Sequence, residues 1–203
     1  MKQFTTEQEN FWAGKFGNQY IERNKDLTNN IPLFARILSR TAEVSSVLEF
    51  GANIGLNLEA IKLLIPTIEL SAIEINETAV NSLKESTNIR IYHQSILNFI
   101  PDYPRSLVLT KGVLIHLSPE YLEKVYELLY LSSNKYICIA EYYSPSPVTV
   151  EYRGHQNKLF KRDFAGEILD KYQDLKLIDY GFVYHRDPNF PQDDLNWFLL
   201  QKN

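Results

Sequence analysis

Val47-Leu48-Glu49-Phe50-Gly51-Ala52-Asn53-Ile54-Gly55 is the stretch from which the fold of this chain can be read. An apolar run carrying one carboxylate ends in two glycines, and a helical pattern begins at Leu56. Glycine at such a turn permits φ > 0 and removes the Cβ, so a ligand can lie against the backbone. The helix that follows offers unpaired N–H groups and the positive end of its dipole. Strand, glycine turn and helix in that order hold a nucleotide-like ligand at the carboxyl edge of a parallel sheet. Gly51 is followed by Ala52 and Asn53, so the dinucleotide spacing G-x-G-x-x-G is not met, which disfavours a nicotinamide cofactor. The Lys-Ser/Thr pair of a phosphate-binding P-loop is also missing.

Outward from this turn, strands alternate with helices. Phe4 to Asn24 reads as a helical, partly aromatic segment, and Ile31 to Ser39 as a second helix with Asn30 as a candidate cap and Pro32 near its first turn. Strands are expected over 44–50, 68–74, 89–92, 107–110 and 136–141, with helices over 56–64, 77–85, 119–131 (capped by Ser118) and 163–172 between or after them. Alternation of this kind predicts a parallel sheet covered on both faces. Leu175 to Tyr184 and Leu195 to Gln201 read as a closing hairpin with a long, Pro-containing loop. The strand ends then line up chemical groups in order. Glu49 ends the first strand, Glu74 the second with Ile75 behind it, Ser95-Ile96 follow the third, and Lys111-Gly112 end the fourth. A carboxylate at the end of the second strand can accept both hydroxyls of a ribose.

Composition fits a domain of 203 residues with a sizeable core, residues 1–40 forming a helical segment ahead of a core over 41–203. A net charge of −4 gives no electrostatic footprint for nucleic acid. No run reaches the length of a membrane span, and Met1 to Glu7 carries no apolar core of a secretory signal. Cys138 stands alone, which excludes an intramolecular disulfide and points to a reducing, cytoplasmic setting. Its apolar surroundings, Tyr136 to Ala140, make it an inert core residue.

The E-x-G-x-x-x-G arrangement of Glu49, Gly51 and Gly55 resembles the loop of class I S-adenosylmethionine (SAM) methyltransferases. That resemblance implies a Rossmann-like α/β fold, with a seven-stranded, mostly parallel sheet, an antiparallel last strand and helices on both faces. It implies SAM as cofactor and S-adenosylhomocysteine (SAH) as product, with Gly51, Ala52, Asn53 and Gly55 around the methionine part and Glu49 near its amino group. It further implies Glu74 and Ile75 at the ribose, Ser95 and Ile96 at the adenine, and Lys111-Gly112 beneath the cofactor facing the acceptor. A narrower resemblance, to methyltransferases associated with pseudaminic acid biosynthesis, covers nearly the whole chain. It is carried by Phe11-Trp12-Ala13-Gly14-Lys15-Phe16-Gly17-Asn18-Gln19-Tyr20, Leu114 to Pro119, Phe160 to Gly166 and Tyr184 to Asp194.

On the acceptor side, an oxygen or nitrogen nucleophile must lose a proton, which invites a base. His116, beyond the fourth strand, and Glu141, at the end of the fifth, are the catalytic candidates. Tyr142, Arg153 and Lys161 are the substrate-binding candidates, the last two as cations on a lid over Ser144 to Asp163 that would meet a carboxylate or phosphate. No D/N-P-P-Y/F motif follows the fourth strand, which disfavours amino-group methylation of bases or Gln, and no metal-binding acid pair of the catechol type is present. The expected reaction is O-methylation of a small molecule such as a nonulosonic acid, sugar or sugar nucleotide. A SAM-binding regulatory or scaffold protein without turnover and a protein side-chain methyltransferase are the alternatives, and oligomeric state is not legible.

Overall fold

Strand β1 (Ser46–Phe50) buries four successive residues, Val47 to Phe50, as a central parallel strand covered on both faces must. In the computed structural model, which describes residues 4–85 and 88–203, it pairs in parallel with β2 (Glu69–Glu74) on one side and β4 (Arg105–Lys111) on the other. Among the described residues, β3 (Ile89–His93), β5 (Ser133–Glu141), β8 (Leu175–Phe182) and β9 (Asn196–Lys202) complete a seven-stranded sheet in the order β3-β2-β1-β4-β5-β9-β8. Strand β9 runs antiparallel to both neighbours. The Rossmann-like fold expected from the sequence is therefore the one observed, including the antiparallel last strand.

The chain winds outward from β1 to β3 and then returns to β4, so the winding reverses between β1 and β4. A crevice opens at the carboxyl ends of the strands at such a switch point. Helices α4 (Leu56–Leu64), α5 (Glu77–Glu85) and α3 (Asn30–Leu38), with α6 (Leu122–Ser132) and α7 (Phe164–Lys171), cover the sheet. Alternate residues of each strand supply two cores. Val47, Leu107, Leu109 and Cys138 meet Phe34, Leu58 and Ile61 on one face, whereas Leu48, Val108 and Ile137 meet Val125, Leu129 and Ile168 on the other.

Several expectations are refined or corrected, among them the cap of α3, which is Asn29 with Asn30 already helical. The N-terminal segment is two helices, α1 (Glu7–Ala13) and α2 (Lys15–Arg23), separated by an extended Gly14. The carbonyl of Trp12 is taken by the Asn76 Nδ2 amide at 3.0 Å, which ties this turn to the end of β2. Gly17 allows the close approach, since a Cβ there would lie 1.9 Å from the Trp12 oxygen. Ser118 caps nothing with its side chain; a 3-10 turn at Pro119–Tyr121 precedes α6. Finally, the stretch read as a lid loop is a hairpin, β6 (Val148–Tyr152) and β7 (His155–Lys161), forming its own two-stranded sheet.

Candidate functional site

A cavity of about 720 Å³ occupies the crevice at the carboxyl ends of the strands. One wall is the glycine turn after β1, with Gly51 at φ +72°, Asn53 at +50° and Gly55 at +86°. These left-handed residues let the chain fold back sharply and begin α4 directly at Leu56. Beside their positive φ, the glycines are required for a reason the sequence does not show. A Cβ at Gly51 would lie 2.7 Å from Val113 Cγ2, and one at Gly55 2.6 Å from Leu83 Cδ2. The crowding is against neighbouring side chains, and Val113 itself lines the cavity.

The acids at the strand ends behave as a set. Glu74 is buried, and its Oε2 accepts from the Asn53 N–H at 2.7 Å while Oε1 accepts from Ile75 and Asn76 at 2.8 and 2.7 Å. It thus clasps the glycine turn to the end of β2 and also lines the cavity. Burial raises its pKa, and the three backbone donors oppose that rise. Glu49 is 1% exposed and lies behind the wall. Its Oε1 accepts from Asn57 Nδ2 at 2.6 Å, whereas its Oε2 has no partner among the described residues. Burial pushes its pKa up to about 8, opposed first by Asn57 and then by Lys111. Asn57, which sequence reasoning missed, does line the cavity, and its own Oδ1 is also buried without a donor. Nothing in the motif marked it; it is simply the second residue of α4.

Beyond β3, the Ser95 hydroxyl accepts from the Leu97 N–H at 3.0 Å, which fixes the 3-10 turn Ile96–Asn98. Ser95, Ile96, Ile75 and the Gly51-Ala52-Asn53 backbone all reach the cavity, as do Lys111 and Gly112. Gly55 and Glu49 do not line it. Burial lowers the Lys111 pKa, and Glu49, Asp193 and Glu141 oppose the shift.

The two base candidates differ. His116 lines the cavity, with its Nδ1 against the Lys158 carbonyl at 2.5 Å and its ring 4.6 Å from Trp12 and 4.8 Å from Tyr152. A carbonyl only accepts, so Nδ1 carries the proton and Nε2 the lone pair. Burial drives its pKa down to about 4, which holds the ring neutral. Glu141 lies outside the lining and is 2% exposed. Its carboxylate accepts from Thr110 Oγ1 and from the N–H groups of Val113 and Leu114, each at 3.0 Å, and from Ile115 at 3.4 Å. It is a clamp that shapes the loop after β4, and burial pushes its pKa up to about 7. The expectation of Glu141 as a base touching the acceptor does not survive this placement.

Helices α1 and α2 and the 191–193 loop close the cavity from above, through Glu9, Trp12, Tyr20, Arg23 and Asp193. Tyr142 and Lys161 instead line a smaller adjoining cleft of about 340 Å³, where Lys161 Nζ lies 5.0 Å from the Tyr142 ring centre. Asp193 belongs to both cavities. Arg153 reaches neither; it occupies the tip of the β6–β7 turn at φ +51°, followed by Gly154 at +82°.

The architecture is the fold of SAM-dependent methyltransferases. Solved structures with this fold include the 1,6-didemethyltoxoflavin-N1-methyltransferase of Burkholderia thailandensis with bound 1,6-didemethyltoxoflavin and SAH. It is 13% identical over 97% of this chain and 87% of that chain, with a TM-score of 0.71. The plantazolicin methyltransferase BpumL, in complex with a pentazolic desmethylPZN analog and SAH, is 16% identical over 92% of this chain and 89% of that chain, with a TM-score of 0.66. CalS10, a SAM-bound amino pentose methyltransferase from Micromonospora echinaspora, is 10% identical over 93% of this chain and 96% of that chain, with a TM-score of 0.63. At these identities the likeness concerns the fold. No family model and no curated protein matches the sequence. Among the described residues no helix is long and apolar enough to cross a membrane.

Proposed function

We propose that this chain is a SAM-dependent methyltransferase acting on an oxygen of a small molecule, such as a nonulosonic (pseudaminic-type) acid, sugar or sugar nucleotide. The observation that carries the cofactor assignment is the pair of unmet acceptors behind the glycine turn, Glu49 Oε2 and Asn57 Oδ1. Buried oxygens without donors are costly and uncommon. A cationic ammonium is the ligand that answers them, and Asn57 would meet it first because Glu49 stands behind it. Glu74 would accept the ribose hydroxyls on lone pairs left by its three backbone donors. Ser95 and Ile96 would flank the adenine. Bound there, SAM supplies an electrophilic methyl group.

The residues above the sheet do the rest by alignment, since an in-line displacement gains most of its rate from the placement of its partners. Trp12 and His116 line the half of the cavity that this reading leaves for the acceptor. His116 is held neutral with its proton on Nδ1 and its lone pair on Nε2, so it orients a donor group on the acceptor. The pseudaminic-type acceptor is supported by the sequence resemblance, and a small-molecule acceptor by the volume of the cavity. Cys138 is buried in the core with its thiol pushed up to about 12, which supports an inert residue.

Calorimetry with SAM and SAH tests the assignment. Both should bind, and Gly51→Val should abolish binding, because the branched side chain drives Val113 into the cavity and resists a positive φ. Undiminished affinity in that variant would sink the cofactor reading.

A further inference from the structure

We infer that Glu9 is the group that takes the proton from the methyl acceptor, and that Glu9 and Trp12 together select a hydroxyl; this rests on the methyltransferase reading. Glu9 is 5% exposed and lines the cavity. Its Oε2 accepts from the Thr6 N–H at 2.7 Å, while Thr6 Oγ1 accepts from the Glu9 N–H at 3.1 Å, the two halves of a capping box. That pair accounts for one carboxylate oxygen. The other, Oε1, is buried and takes no hydrogen bond from the described residues. Three residues on, the Trp12 indole Nε1–H is likewise buried and unpaired. Residues i and i+3 share a helix face, and both of these line the same cavity.

The polarity of the two orphans is informative. One can only accept and the other can only donate. A hydroxyl answers both, donating to Glu9 Oε1 and accepting from Trp12 Nε1–H. An ammonium answers only the first, and a neutral amine would spend on the indole the one lone pair with which it attacks, whereas a hydroxyl keeps a second. Trp12 is also rigidly placed, its carbonyl bound by Asn76 at 3.0 Å and its ring against His116 at 4.6 Å. The other candidates for the proton are less suited. Glu141 spends its oxygens on the loop after β4, and burial opposes the imidazolium form of His116. In the step itself, the acceptor oxygen bonds to the methyl carbon, the carbon–sulfur bond breaks with its electron pair remaining on sulfur, and the hydroxyl proton passes to Glu9 Oε1.

The test begins without cofactor. The protein is titrated with matched pairs, phenol and aniline, lactate and alanine, ethylene glycol and ethylenediamine, while the indole N–H resonances of Trp12 and Trp197 are followed by NMR. A hydroxyl member should move the Trp12 resonance and leave that of Trp197 in place. Glu9→Gln, which keeps the capping box because Gln also serves there, should weaken that binding about tenfold or more. The responding hydroxyl compound is then offered with SAM. SAH should form, and Glu9→Gln should lower kcat about 10²–10⁴-fold with SAM affinity unchanged, while Glu9→Asp recovers part of the rate. Trp12→Phe should raise KM more than it lowers kcat. Wild-type kcat in Glu9→Gln overturns the assignment, as does a Trp12 resonance that answers the amines alone or no compound at all. Failure of SAM to bind would defeat the methyltransferase reading instead, and the Trp12 titration would still be decided on its own.

Discussion

The two halves that the proposed function gives the cavity, one for the cofactor and one for the acceptor, are built differently. The cofactor half is a row of consecutive strand ends: the Gly51 turn after β1, Glu74 after β2, Ser95 after β3 and Lys111 after β4. Each group sits where the chain leaves the sheet, and the sheet fixes their spacing. The acceptor half is assembled from Glu9 and Trp12 on α1, Tyr20 and Arg23 on α2, His116 after β4, and the 191–193 loop before β9. No single element spaces these. One half therefore follows from the fold, and the other from side-chain contacts between distant segments, such as Asn76 to Trp12 and His116 to Lys158. A cofactor shared by a whole fold can be served by the first arrangement, whereas an acceptor particular to one enzyme calls for the second.

The floor common to both halves is the sharpest place to break this division. Glu141→Ala removes a carboxylate that accepts from the Val113, Leu114 and Ile115 N–H groups and the Thr110 hydroxyl. Leaving such donors buried and unmet should cost about 3–5 kcal/mol, measured by urea denaturation. The loss should appear in stability with and without SAM. A fully stable variant with turnover alone impaired would return Glu141 to the chemistry and erase the distinction between floor and acceptor half.

Next in size is Glu74, the anchor of the cofactor half. Glu74→Ala should weaken SAM by about 1.5–3 kcal/mol, the scale of hydrogen bonds to a charged acceptor, and Glu74→Gln should lose less. Calorimetry on both variants, with urea denaturation alongside, separates ligand from scaffold, because Glu74 also holds the Asn53, Ile75 and Asn76 N–H groups. Parental affinity in both would reduce Glu74 to a clasp for the glycine turn.

The same contrast explains what could be read from the sequence. The order of strands, the glycine turn and the Glu74, Ser95 and Lys111 positions were legible because hydrophobic runs end where the chain turns, and in a parallel sheet those ends share one edge. The β6–β7 hairpin was not. Val148 and Thr149 are exposed, as are His155 to Asn157, so the apolar alternation that marks a half-buried strand is missing. The break at Gly14 was hidden because a lone glycine is tolerated inside a helix, and the bond from Asn76 to the Trp12 carbonyl beside it comes from a distant segment. Glu9 was hidden for a related reason. Thr6-x-x-Glu9 reads completely as a capping box, and only the fold shows that the second carboxylate oxygen faces nothing that can donate to it.

Glu49 gives a pH test of the cofactor half. Its folded-state pKa, near 8, exceeds the ordinary 4.5 because burial penalises the charge. Between those values the folded protein holds a proton that the unfolded chain has lost. The stabilisation is therefore complete below about pH 4.5 and is lost as pH rises through 8. Stability to urea should fall across this window, and Glu49→Gln should flatten the upper part. SAM affinity should move the opposite way and rise toward pH 8, since the ionised carboxylate is the form that faces an ammonium. Flat stability would mean that Glu49 is ionised across the window as in the unfolded chain, and flat affinity that Asn57 alone meets the ligand.

The smallest effect lies in the acceptor half, and it separates a lid cation from a turn residue. Arg153 and Gly154 are the two central residues of the β6–β7 turn, at φ +51° and +82° between the paired Tyr152 and His155. Two-residue hairpins of this kind favour Asn-Gly, because both positions are left-handed. Arginine there carries a backbone cost that asparagine largely avoids. The Tyr152 ring, at 5.9 Å from the guanidinium carbon, returns little at an exposed site. Arg153→Asn should therefore raise stability by about 0.5 kcal/mol, read as a small upward shift in the urea midpoint. Neither Arg153→Asn nor Arg153→Ala should change KM for the acceptor, because the side chain lines neither cavity. A several-fold rise in KM in both variants would show that the hairpin folds down over the acceptor during turnover, and would restore Arg153 to the substrate-binding role that its charge suggests.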